Sequence, residues 1–286
     1  MLLADAAPLA PSAREVMARA ETENFPVASR LLPRRVREHL LAVYGFARLA
    51  DELGDTAPGD RLAALDWLES ELDAAFEQRA EHPLLRRLAR TVHECSLERE
   101  PFARLIEANR VDQRVARYQT WEQLRGYCEL SANPVGELVL GVFGLATPER
   151  VALSDSICTG LQLAEHCQDV AEDYLAGRVY LPAEDMARFG CTLADLDPAS
   201  RTERAQEPLR AVLAFEVRRA RALFEDGAPL LATLRGRERL AVAGFLAGGH
   251  AALDAIERAH YDVLAAPPQA GRWRRVRALR AVLAGS

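Results

Sequence analysis

Three observations predict an all-α fold, a single-domain antiparallel helical bundle around a central cavity. Apolar residues recur at helical spacing almost throughout, no alternating β-branched run of strand length occurs, and proline or glycine falls between successive periodic stretches. Those stretches are residues 12–23, 33–56, 60–80, 83–94, 99–118, 120–143, 148–175, 203–233, 236–264 and 272–284. Pro26 and Pro33 precede the second stretch, Pro58 and Gly59 separate it from the third, and Pro83 opens the fourth. Pro101 lies in the first turn of the fifth, where proline's missing N–H costs nothing. Pro148 opens the seventh, Gly177, Pro182 and Gly190 follow it, Gly236 opens the ninth, and Pro267 and Pro268 precede the last. Pro134 falls inside the sixth stretch and predicts a kink after Asn133, with a carbonyl freed one turn earlier. No fixed-period repeat and no linker divides the chain, so residues 1–286 read as one domain rather than a solenoid scaffold.

Composition removes several functional classes. With 286 residues and 49% hydrophobic content the chain can bury a large core. A formal net charge of −6 argues against nucleic-acid binding, which needs a basic surface to displace counterions. All 36 basic residues are Arg, which excludes a Schiff-base lysine and a P-loop. Cys95, Cys128, Cys158, Cys167 and Cys191 are odd in number and form no CxxC, so neither a disulfide framework nor a thiolate zinc site is expected. The N-terminal MLLADAAPLAPSARE lacks a basic region and a long apolar core, and no run of 18 apolar residues occurs. A cytoplasmic location is the expectation.

Two acidic pairs, Asp51/Asp55 and Asp169/Asp173, sit four residues apart within apolar helical stretches. That spacing puts both carboxylates on one helix face about 6 Å apart along the axis, where they repel unless a cation lies between them. Hard oxygen donors without a His/Cys cluster point to Mg²⁺, which keeps waters and shares its shell with substrate phosphates. Diphosphate chemistry follows. Around the first pair, Tyr44, Arg48, Asp51 and Asp55 step by four, three and four. Around the second, Gln162, Glu165, Asp169 and Asp173 step by three, four and four, and Arg178 and Tyr180 follow the same helix. An intrahelical Arg48–Asp51 ion pair explains the first stripe alone as well as a metal site does; the second stripe tips the balance.

A diphosphate also needs guanidinium donors, for which Arg48 and Arg178 are the candidates. Phe25, Tyr44, Phe46, Tyr127 and Phe143 are available to line an apolar cavity and to face a carbocation, although Phe46 and Phe143 read better as core. His166 reads as a neighbour of the second stripe, and the thiols read as structural. A di-iron carboxylate bundle needs two Glu-x-x-His motifs, and the sequence holds one, Glu257 to His260.

At these residues the chain resembles the squalene/phytoene synthase family of head-to-head isoprenoid enzymes, nearest to its hydroxysqualene-forming branch in bacterial hopanoid biosynthesis. The likeness is carried by YGFARLADELGD (44–55) and LQLAEHCQDVAEDYLAGRVYLP (161–182). It extends over ENFPVASRLLP (23–33), LIEANRVDQ (105–113), YCELSANPVGELVL (127–140) and AGGHAALDAIERAHYDVL (247–264). It implies Mg²⁺ on Asp51, Asp55, Glu165, Asp169 and Asp173, with a polyprenyl diphosphate held between the two motifs. It further implies catalytic roles for Tyr44, Arg48, Tyr127, Arg178 and Tyr180, and substrate contacts from Phe25, Tyr44, Arg48, Gln162, Arg178 and Tyr180. The expected reaction ionises presqualene diphosphate and captures the cation with water. The alternative on this scaffold is the earlier farnesyl coupling, or squalene, dehydrosqualene or phytoene formation. Functional coupling to other squalene-pathway enzymes follows from the same resemblance. Two departures stand out: Glu165 occupies a position where the family usually has Asn, and Asp51-Glu52 replaces a common Asp-Asp.

The C-terminal GRWRRVRALRAVLAG mixes five Arg with Trp273, Val276, Leu279 and Val282. Such a segment fits either a terminal helix packed on the bundle or weak peripheral association with the inner face of a membrane.

Overall fold

A computed structural model describes residues 11–18, 32–200 and 206–285. Phe25 and the ENFPVAS segment lie outside them. The helices are α1 (Ala13–Ala18), α2 (Arg34–Asp55), α3 (Arg61–Phe76), α4 (Pro83–Cys95), α5 (Glu100–Asp112), α6 (Trp121–Ser131) and α7 (Asn133–Val142). They continue as α8 (Pro148–Gln168), α9 (Val170–Leu175), α10 (Ala183–Arg188), α11 (Gln206–Gly227), α12 (Leu230–Thr233), α13 (Gly236–Arg258) and α14 (Arg272–Gly285). The described residues contain no β-strand beyond one isolated bridge, Arg117 to Val179, so the all-α expectation holds.

Local chemistry starts these helices where the sequence says it should. The Asp60 side chain accepts the Ala63 N–H at 3.1 Å ahead of α3, and the Thr120 hydroxyl accepts the Gln123 N–H at 3.3 Å ahead of α6. Pro83 occupies the first turn of α4. Several boundaries differ from the periodic stretches, and the 203–233 stretch is two helices, α11 and α12. The 120–143 stretch is two helices, because the chain breaks at Ala132 and places Asn133 and Pro134 in the opening turn of α7, where proline needs no N–H partner. The 148–175 stretch is interrupted at Asp169. The 99–118 and 236–264 stretches stop early, at Asp112 and Arg258. Helix α10 and two short 3₁₀ turns, Leu193–Leu196 and Pro198–Ser200, are too short to leave a periodic signal.

Contacts group the chain into two compact units, residues up to Arg114 with Pro134–Thr147, and Val115–Asn133 with Pro148 onward. In the first unit α2 packs against α3, α4 and α5. Phe46 and Phe102, both fully buried, meet edge to face at 5.1 Å, an arrangement that adds roughly 0.5–1.5 kcal/mol beyond burial. Phe46 is therefore core, as its position in the apolar stripe implies. Arg110 ties α5 to α3 through Asp66 at 2.6 Å and Glu69 at 2.7 Å.

In the second unit α8 lies against α11 and α13. The Phe224 ring is wedged between two glycines: a Cβ on Gly160 would stand 2.7 Å from its edge, and one on Gly249 would stand 2.5 Å from its tip. Gly227 lets α11 approach the backbone of α8, since a Cβ there would lie 2.7 Å from the Leu153 carbonyl oxygen. A buried ion cluster joins α10 to α11, with Arg219 Nη1 at 2.9 Å from Asp185 and 2.7 Å from Glu216. The same guanidinium lies 4.5 Å from the centre of the Trp121 ring. Burial pushes the Glu216 carboxyl up to about 8. The thiols of Cys128 and Cys191 are pushed up to about 12 by burial, and that of Cys167 is raised well above its usual value for the same reason. All five cysteines are free.

Gly249→Ala should cost about 1–3 kcal/mol in urea unfolding, because Phe224 has no open side into which to retreat. A loss below about 0.5 kcal/mol would show that the ring can move.

Candidate active site

The first acidic stripe lies on the C-terminal half of α2. Arg48 stands at its centre, with Nη1 3.7 Å from Asp51 Oδ2 and Nη2 3.4 Å from Glu52 Oε1. The intrahelical ion pair is therefore present, and Glu52, which the stripe analysis passed over, is the nearer partner. The Thr56 hydroxyl donates to the Glu52 carboxylate at 3.0 Å, which fixes Glu52 from the other side. Tyr44 is partly buried on the same helix and Asp55 is exposed at its end.

Helix α5 supplies residues that the α2 spacing could not reveal. Asn109 Nδ2 approaches Asp51 Oδ1 at 3.4 Å, while Gln113 Nε2 donates to the Gly54 carbonyl at 2.9 Å. Gly54 is required there, since a Cβ would meet Asn109 Oδ1 at 2.2 Å. Asp112, one turn from Asn109, adds negative potential at Asp51. The signal was in the sequence: Asn109, Asp112 and Gln113 share one face of α5 at steps of three and four.

Asp51 shows how the stripe is charged. Its side chain is 49% exposed, yet surrounding protein strips enough water to push its pKa up to about 6. Desolvation is the largest cause; Arg48 and Asn109 oppose it, and Asp55 and Asp112 reinforce it. Crowding by protein without full covering fits a carboxylate at the wall of a recess.

The second stripe runs along the end of α8 and through α9. Asp169 separates the two helices, with φ −99° and ψ 16°, a sparsely populated backbone region where active-site residues often sit. The helical ladder nonetheless continues across it, from Asp169 N–H to the Glu165 carbonyl at 3.0 Å and from Asp173 N–H to the Asp169 carbonyl at 2.8 Å. Asp169 and Asp173 thus keep their one-turn spacing. Desolvation, helped by Glu172, pushes Asp169 up to about 6 as well. Glu165 is exposed, and Gln162 and Asp173 are partly buried.

Beyond α9 the chain turns, the Arg178 N–H donates to the Asp173 carbonyl at 2.8 Å, and the Val179 N–H donates to Ala116 at 2.8 Å. That bridge seats Tyr180 in a set of stacked rings. Tyr180 lies face to face with His166 at 4.0 Å and 10°, with Tyr127 at 5.6 Å and 29°, and with Tyr118 at 5.9 Å and 22°. Two expected residues, Tyr127 and Tyr180, are brought together. Tyr118 and His166 join them, and neither stood among the candidates. His166 is 5% exposed, its Nε2 has no partner among the described residues, and burial lowers its pKa to about 3, so the ring is neutral. Phe143 is only partly buried, in α7's trailing turn.

Among the described residues no three His, Cys, Asp or Glu side chains converge as a ready-made metal site. The donor chemistry still suits Mg²⁺, which binds through one or two carboxylates and completes its shell with water and phosphate oxygens. Asp51 and Asp169, each pushed up to about 6 chiefly by desolvation, are carboxylates whose ionised form a divalent cation would stabilise.

The helical architecture is that of the all-α isoprenoid synthases. A squalene synthase from Alicyclobacillus acidocaldarius, designated HpnC, superposes with a TM-score of 0.79 at 46% identity, covering 87% of this chain and 93% of that one. A dehydrosqualene synthase superposes at 0.84 with 25% identity, over 96% and 95% of the two chains. Residues 18–278 match the squalene/phytoene synthase family, and the chain belongs to it. The hydroxysqualene synthase of Sinorhizobium fredii is 35% identical over 217 residues, 74% of this chain and 72% of that protein. The phytoene synthase of Arthrospira platensis is 31% identical over 272 residues, 90% and 87% of the two chains. The chain is thus a prenyltransferase-like enzyme of isoprenoid biosynthesis.

Asp51→Asn should raise the melting temperature at pH 7 and leave it unchanged near pH 3.5. The sign follows from proton linkage: with a folded pKa of about 6 against an ordinary value of 3.8, the native state binds the extra proton, so this group's contribution falls as pH rises between those values. A melting temperature lowered at pH 7 would mean that Asp51 serves the fold as an ion-pair partner.

Proposed function

We propose that the enzyme is a hydroxysqualene synthase, converting presqualene diphosphate and water into hydroxysqualene and diphosphate. The observation that carries the reading is the pair of carboxylate stripes, each with an Arg beside it, and the stacked tyrosines that follow the second. The similarity to proteins named hydroxysqualene synthase, at 35–37% identity, supports the particular reaction. Asp51 and Asp55, and Asp169 and Asp173, would hold Mg²⁺ on the diphosphate, with Glu165 as an additional oxygen donor. Bound there, Mg²⁺ supplies Lewis-acid stabilisation of the negative charge that builds on the departing group.

The chain's own groups do the rest. Arg48 and Arg178 donate to phosphate oxygens; Arg48 is already oriented by Asp51 and Glu52, so little freedom is lost on binding. Tyr44 and Gln162 would add neutral hydrogen bonds to the same anion. As the C–O bond to diphosphate breaks, the cyclopropylcarbinyl cation is stabilised by the ring faces of Tyr118, Tyr127 and Tyr180. Neutral His166 adds no competing positive charge. Water then forms the new C–O bond and gives up a proton, and no protein nucleophile is consumed.

A second reading is coupling of two farnesyl diphosphates, or onward formation of squalene or dehydrosqualene. It is favoured by the names of the two similar solved structures. Lipid analysis after incubation with Mg²⁺ and either diphosphate decides. Hydroxysqualene from presqualene diphosphate supports the first reading; squalene, dehydrosqualene or phytoene as the sole product supports the second.

Asp51→Asn and Asp169→Asn should each lower kcat by about a hundredfold or more while the fold is retained. Mg²⁺ should raise the wild-type melting temperature in the presence of inorganic diphosphate, and the double variant should lose that rise. Retained turnover in EDTA would sink the metal assignment. Glu165→Asn should keep activity with a shifted Mg²⁺ requirement, and an unshifted titration would place Glu165 outside the metal shell.

A further inference from the structure

Helix α14 packs along α13, where Ala278 meets Ala251, Ala255 and Ala270. Arg275, Leu279, Val282 and Leu283 share that partly covered side, and Arg275 Nε donates to the Ala270 carbonyl at 3.2 Å. At about 100° per residue, these positions fall on one half of the helix. The other half carries Trp273, Arg274, Val276, Arg277 and Arg280, all exposed. Trp273 is 84% exposed and Val276 38%.

Leu279, Val282 and Leu283 lie on the partly covered side of α14, whereas the indole of Trp273 stands exposed beside Val276 and among guanidiniums. Charge sharpens the point. No acidic residue follows Asp262, so a strictly basic segment ends a chain whose net charge is −6. A long polyanion such as duplex DNA would meet the acidic remainder, whereas a flat anionic surface is touched by one face alone.

We infer that the exposed face of α14 docks on anionic phospholipid, with Trp273 at headgroup depth and Arg274, Arg277 and Arg280 against lipid phosphates. Because Leu279, Val282 and Leu283 face α13, the contact is shallow, electrostatic and salt-sensitive, and no segment inserts. Helix α13 is long and apolar enough to cross a bilayer by length and composition, but it is a packed helix with 56% of its most apolar window buried. The inference does not depend on which diphosphate the enzyme consumes.

Cosedimentation of the full chain with phosphatidylglycerol/phosphatidylcholine vesicles tests it, alongside pure phosphatidylcholine. Binding should be confined to the anionic vesicles and fall about tenfold or more between about 0.05 M and 0.5 M salt. The triple variant Arg274→Glu, Arg277→Glu, Arg280→Glu should lose it with an unchanged melting temperature. The blue shift of tryptophan emission on binding should vanish in Trp273→Phe, which separates docking from any folding defect. Equal binding to neutral vesicles, undiminished binding by the triple variant, or an emission shift that persists without Trp273 would each overturn the inference. So would equally tight, α14-dependent binding to duplex DNA.

Discussion

Desolvation of one carboxylate in each acidic segment, Asp51 in the first and Asp169 in the second, is the constraint around which both segments are arranged. Asp51 and Asp169 are each pushed up to about 6, so each stripe is held in a state that the isolated fold disfavours. The surrounding structure tolerates this because the helices are secured elsewhere. In the first unit Arg48 is shared between Asp51 and Glu52, and Asn109 and Gln113 brace α2 from α5. In the second, the Phe224 wedge and the glycines around it anchor α8, leaving its far end free to break at Asp169. Desolvated carboxylates on a well-packed helix are the trade-off expected where function rather than stability selects residues.

Much of this was legible in the residues themselves. Helical periodicity and proline punctuation located most elements, and the two stripes stood out because four-residue spacing of acids in apolar surroundings has few structural explanations. The conflicts came where local geometry is decided by tertiary contacts. The break at Asp169 leaves the hydrogen-bond ladder running, so no glycine or proline marks it. Ala132 yields to the demand of Pro134 for a first-turn position, one residue before the kink expected after Asn133.

Most residues missing from the candidate set arrive from segments distant in sequence. Tyr118 joins Tyr127 and Tyr180 because a short stretch after α5 pairs with Val179 through a single bridge. Asn109 reaches Asp51 across a helix pair. His166 reads in the sequence as a neighbour of the second stripe; Glu165 beside it is exposed, yet one residue later the helix face turns inward and the ring is buried. The Asp185–Arg219–Glu216 cluster left no trace in spacing, since its members come from two helices and one of those is only six residues long.

Three thiols in the second unit give the protein an internal clock. At a pKa of about 12, roughly one Cys128 or Cys191 side chain in ten thousand is a thiolate at pH 8, and Cys167 is suppressed for the same reason. Cys167 is fully buried, so an alkylating reagent reaches it only while the surrounding helices are apart. Labelling of Cys167, the residue buried at the base of the second stripe, would therefore count the openings of α8 without any engineered probe.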